Sequence, residues 1–203
     1  PSAEILGIDD SAEMVDRAIR DNTDPHANYD AADVSQWTPH RPVDLMISNA
    51  MFQWVPDHLD VIDRLLDHLT DGGAFALQVP NNTDSPTHSA LADLAATEPY
   101  LGAFGDLRAL PRLDAEMYLE FFADRGYHAD AWETTYFHVL DGQDPVFDWM
   151  SGTGARPYMQ ALSDELRVQF VADLKQRLAE AYPRREWGTV LPFRRTFAVA
   201  TRR

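Results

Sequence analysis

Four stretches of the sequence place polar residues directly after a short apolar run. Ile5–Ile8 leads into Asp9-Asp10-Ser11, and a weak run at Asn28–Asp30 leads into Ala32-Asp33-Val34. Val43–Ser48 leads into Asn49-Ala50-Met51, and Ala74–Val79 into Pro80-Asn81-Asn82. Ligands of open α/β sheets bind beyond the carboxyl ends of the strands, so these are the positions where chemistry is expected. A carboxylate at Asp9 can accept hydrogen bonds from both hydroxyls of a ribose. Taken alone it could equally be a turn residue, and Asp10 reads better as a solvated cap. Asp33 can accept from an adenine amino group while the neighbouring backbone meets the ring edge. Asn49 can cap its turn or hold a polar ligand group. In the loop that follows, Phe52 fits under the next helix and Trp54 fits a pocket wall.

Such positions need a sheet to hold them, and the pattern from Ile5 to Val79 alternates strands and helices as a parallel α/β sheet does. Ala12 to about Asp21 reads as a helix with Ser11 as N-cap and Ala12, Val15, Ala18 and Ile19 as its apolar stripe. His58–Leu69 reads as a second, with Leu59, Ile62, Leu65, Leu66 and Leu69 on one face and Asp71-Gly72-Gly73 as its stop, Gly73 in a left-handed position. Beyond Pro80 the pattern changes. Ser85–Ala96 and Asp114–Arg125 read as helices joined by a loop through Pro99 to Pro111, and Asp130–Leu140 as a long strand. A short helix over Pro145–Met150, a long one over Ser163–Tyr182 and a last strand over Phe193–Thr201 follow. The expectation is one domain over 1–203, with helical insertions at about 81–128 and 141–190 that cap the sheet.

Composition narrows the partners. The chain has 203 residues, 45% of them apolar, and a net charge of −16. That charge argues against nucleic acid and against an anionic membrane surface. No apolar run is long enough to span a bilayer and no signal peptide is evident, which points to the cytoplasm. Without cysteine there are no disulfides or thiolate metal sites, and the seven histidines show no metal-ligand spacing. Lys175 is the single lysine among 17 cations, so arginines must do any anion binding. Oligomeric state is not legible.

Asp9, Asp33, "SNAMFQWVPDH" (Ser48–His58) and "LTDGGAFALQVPNN" (Leu69–Asn82) resemble class I S-adenosylmethionine-dependent methyltransferases. "WETTYFHVLDGQDPVFDW" (Trp132–Trp149), "SGTGARPY" (Ser151–Tyr158) and "LPFRRTFAVA" (Leu191–Ala200) resemble the trans-aconitate 2-methyltransferase family among them. The resemblance runs over almost the whole chain. It implies a Rossmann-like sheet, mostly parallel, whose last strand is antiparallel. It also implies that the first strand and the glycine-rich loop would lie upstream of Pro1, so that the chain is truncated at its N-terminus. By resemblance Asp9 binds the ribose, Met14 lies near the adenine, Asp33 and Val34 bind the adenine, and Asn49 borders the methionine part. Gln53 stands where the family usually has a histidine.

The implied reaction is methyl transfer to a carboxylate of trans-aconitate or a similar polycarboxylic acid, with S-adenosylhomocysteine as product and no metal. A carboxylate is ionised at neutral pH, so catalysis needs positioning rather than an acid or base. The substrate's other carboxylates call for guanidinium forks. The candidates are Arg156, after the glycine-rich turn, and Arg194 and Arg195, which face opposite ways on one strand. Arg195 shares a face with Phe193 and Phe197. Trp54, Asn82, His88 and Tyr136 are further candidates for the pocket. Two other readings compete: an NAD-dependent dehydrogenase, which also uses an acid after its second strand, and a non-catalytic methyltransferase-like fragment.

Overall fold

A computed structural model of the chain describes residues 3–104 and 113–202. The end of the Pro99–Pro111 loop lies outside the described residues. Strand β1 (Ile5–Asp9) runs parallel to β2 (Ala27–Ala31) through helix α1 (Ala12–Asp21). Ser11 caps α1 as expected, its Oγ accepting from Met14 N at 3.3 Å. Of the expected apolar stripe only Val15 is buried, and Ile19 is exposed.

A second sheet contains β3 (Val43–Asn49), β4 (Leu69–Pro80), β5 (His128–Leu140) and β6 (Thr189–Thr201), in the order β3-β4-β6-β5. β3 and β4 are parallel, and β6 lies between β4 and β5, antiparallel to both. The fold is thus the α/β arrangement with an antiparallel last strand. Helix α2 (His58–Leu66) is shorter than its apolar spacing suggests. Leu69 reaches the core from the first position of β4, opposite Val43 of β3. An apolar residue at helical spacing cannot by itself announce that a strand has taken over. The left-handed glycine is Gly72 (φ 76°), not Gly73, whose hydrogen packs so tightly that a Cβ would sit 2.9 Å from the Thr70 carbonyl oxygen.

One face of this sheet is sealed by α2 and by α4 (Ala115–Asp124). Phe52, Ile62, Phe75, Leu77, Phe122, Ala198 and Ala200 are all 3% exposed or less there. The helices α3 (Pro86–Ala95), α5 (Pro145–Ser151), α6 (Arg156–Ala161) and α7 (Asp164–Ala181) make a second cluster around Phe170, Leu174 and Leu178. β6 joins the two clusters. Its pairing with β4 runs only from Thr201 to Arg195, while its pairing with β5 continues to Thr189 opposite Leu140. The ribbon beyond Arg195 carries Leu191 into the helical cluster.

Candidate functional site

Alternation along a strand sends neighbouring side chains to opposite faces, and the register then fixes which residues share a face. At the carboxyl end of β1, Asp9 O accepts from Ala32 N at 2.9 Å, which ties the first acid to the residue before the second. Asp9 Oδ1 accepts from Ser11 N (2.9 Å), and Asp33 Oδ1 accepts from Ser35 N (2.8 Å). The Ser35 hydrogen bonds hold the Asp33 carboxyl below its usual range. Both acids are exposed. Met14 is 52% exposed on the first turn of α1.

Arg64, on α2, is a contributor that no local sequence signal announces. Its guanidinium donates to Trp37 O (2.6 Å), Val34 O (2.9 Å) and Ser35 O (2.9 Å). It thereby holds the Asp33 loop against a helix of the other sheet. A cation directed at three carbonyls can be found only once the fold brings them together.

Asn49 ends β3 opposite Gln78 of β4, and the next residue, Ala50, has φ 54°. Ala50 N donates to Gln78 O (2.8 Å), and Gln53 Nε2 donates to Ala50 O (2.6 Å). Phe52 packs under α2, while Trp54 is 58% exposed. No bond among the described residues joins Asn49 to Asp9.

Arg194 and Arg195 do point to opposite faces, and their surroundings differ. Arg194 Nη2 meets Asp84 Oδ1 at 2.6 Å, and its Nε lies 2.9 Å from Asn81 O and 3.9 Å from Glu133 Oε2. Arg195 lies over the Phe193 ring at 5.0 Å and donates from Nη1 to Gln78 Oε1 at 2.7 Å. Asn82 is buried, with both ends of its amide on the Arg194 backbone: Oδ1 accepts from Arg194 N (2.7 Å) and Nδ2 donates to Arg194 O (3.1 Å). His88 Nδ1 is 3.2 Å from Ser85 Oγ at the start of α3. Tyr136, half exposed, stacks with His138, whose ring is 4.6 Å from Trp149. Arg156 is exposed at the first position of α6, and no side-chain partner for it occurs among the described residues.

A hollow of about 380 Å³ at the opposite end of the sheet is lined by Asp63, Arg125, Tyr127 and Arg202. Its arginines are engaged, Arg125 by Asp63 and Arg202 by the Leu69 carbonyl.

Acids after the first two strands, an asparagine after the third and an antiparallel last strand together define a methyltransferase domain. The family described as "Methyltransferase domain" matches residues 2–147. The fold is also that of YcgJ from Bacillus subtilis, with a TM-score of 0.59 at 12% identity over 98% of this chain and 82% of that one. The Streptomyces avermitilis trans-aconitate 2-methyltransferase is 44% identical over 98% of this chain and 77% of its own length. The Agrobacterium fabrum trans-aconitate 2-methyltransferase is 39% identical over 98% of this chain and 78% of its own. The chain belongs to the trans-aconitate 2-methyltransferase family.

Proposed function

We propose that the protein transfers a methyl group from S-adenosylmethionine to a carboxylate of trans-aconitate, or of a closely similar small polycarboxylic acid, and releases the methyl ester. The supporting observation is a guanidinium with no acid partner among the described residues, Arg195, at the carboxyl end of the sheet in a chain of net charge −16. The name shared by the relatives supplies the substrate.

The residues present fit the methyl donor. Asp9 and Asp33 present exposed carboxylates that can accept from a hydroxyl or amino donor, and the Ala32–Asp9 backbone bond links the two strand ends. In this reading Asp9 takes the ribose, Asp33 and the Val34 backbone take the adenine beside Met14, and Asn49 faces the methionine part. The donor supplies an electrophilic methyl on a sulfonium, so that a C–O bond forms on the carboxylate as the C–S bond breaks and S-adenosylhomocysteine leaves. The chain has no proton to move, because the attacking carboxylate is already ionised. Its task is to fix the oxygen in line with the methyl and to hold the remaining carboxylates still. Arg195 and Arg156 are the anchors in this proposal, being the two arginine candidates without a carboxylate partner among the described residues. Arg194 is braced by Asp84, and Asn82 braces its strand. Trp54, Tyr136 and His88 are assigned to the pocket wall. The 203 residues are read as one domain in which 81–128 and 141–190 cover the site.

Incubation with S-adenosylmethionine and trans-aconitate, followed by mass spectrometry of the small molecules, tests the reaction. A monomethyl ester is expected. Tight binding of S-adenosylhomocysteine with no ester from any di- or tricarboxylic acid favours the non-catalytic alternative. Binding of NAD in place of S-adenosylhomocysteine overturns the proposal.

A further inference from the structure

Gln78 is 6% exposed on β4, and its amide orientation is dictated by its neighbour. Arginine can only donate, so the Gln78 oxygen must face Arg195 and the nitrogen must face away. That nitrogen is buried and has no hydrogen-bond partner among the described residues. A buried donor left without a partner destabilises a fold. Stability alone favours glutamate at this position, because a carboxylate would take a charge-assisted bond from Arg195 and leave no N–H behind. Glutamate would also neutralise the cation. Arg194, one residue earlier, shows the neutralised arrangement with Asp84 and Glu133. Glutamine instead holds the guanidinium in place, against the Phe193 ring, and leaves its charge unspent.

We propose that Gln78 is a specificity-determining positioning residue: it aims Arg195 toward the Asn49 end of the sheet as an uncompensated cation, so that the site selects acids carrying more than one carboxylate. The inference rests on the methyl-acceptor reading above. Because Gln78 acts through Arg195, its effect appears in acid affinity and selectivity and not in cofactor affinity.

The test is calorimetric titration of trans-aconitate, and of the monocarboxylate crotonate, into protein saturated with S-adenosylhomocysteine. Gln78→Glu is expected to weaken trans-aconitate binding at least about tenfold. The S-adenosylhomocysteine affinity should stay unchanged and thermal stability equal or higher. The preference for trans-aconitate over crotonate should shrink, and so should the weakening of trans-aconitate binding by added salt. If Gln78→Glu does not fold, Gln78→Met decides instead, with a loss of at least about threefold and the same loss of selectivity expected. Unchanged trans-aconitate affinity in the folded variant overturns the inference, as does wild-type protein that binds no trans-aconitate. Wild-type protein that binds the acid in a Gln78-dependent manner but forms no ester overturns the proposed reaction and leaves the inference standing.

Discussion

The two faces of the four-stranded sheet differ sharply. On one, Phe75, Leu77, Thr196, Ala198 and Ala200 are sealed beneath α2 and α4, at 3% exposure or less. On the other, Ile47 is 72% exposed, Leu45 55% and Trp132 43%, and Trp132 stacks on Phe197 with no helix above the pair among the described residues. The polar groups divide in the same way. Asn81 on the sealed side is saturated, its amide nitrogen reaching Glu133 and Thr196, each at 3.2 Å. Gln78 and Arg195 on the open side keep donors in hand. The sealed face supplies stability and, in the proposed function, the open face supplies recognition, so substitutions on the two should be read out by different measurements.

The largest expected effect is on the sealed face. Phe122 is fully buried and 6.0 Å from the Phe75 ring, so Phe122→Ala should lower unfolding free energy by about 3–5 kcal/mol in urea titration. On the open face, Arg195→Ala should reverse the pattern. It should cost less stability, about 1–3 kcal/mol from the buried Gln78 oxygen left without its donor, while raising the KM for trans-aconitate about tenfold or more. A large stability loss with unchanged KM would erase the distinction between the faces.

His58 gives a pH handle on the sealed side. It is buried with Nε2 2.9 Å from the Tyr118 hydroxyl, and burial lowers its pKa below the ordinary 6.5. The unfolded chain therefore binds the proton first. Stability is full above the unfolded value and declines as pH falls below it and through the folded value. His58→Gln should flatten that part of a stability-against-pH curve. The smallest effect belongs to Ile47. With its side chain mostly in solvent, Ile47→Thr should change unfolding free energy by no more than about 0.5 kcal/mol.

How legible a feature was depended on its reach along the chain. β1, α1 and β3 announce themselves, because apolar runs and an N-cap serine are local signals. Asp9, Asp33 and Asn49 could be placed at strand ends for the same reason. The opposed faces of Arg194 and Arg195 followed from strand alternation alone. The fate of each arginine did not, since it depends on β6 entering between β4 and β5 and bringing Gln78, Asp84 and Glu133 alongside. Arg64 is not legible in the sequence because its three carbonyl acceptors lie 27 to 30 residues away. Leu69 fitted a helical stripe and turned out to begin a strand, because both geometries deliver it to the same core.

β6 has a mechanical consequence. It buries Leu191 in the helical cluster and Ala198 in the sheet core, about 23 Å apart at strand spacing, with both arginines between them. Hydrogen-bonded to β5 over all 13 residues, it behaves as a stiff beam resting on two supports. A displacement of the helical cluster would therefore reach Arg194 and Arg195 as a tilt of the backbone that carries them, and in the proposed function it would couple the grip on an acid to the attitude of those helices.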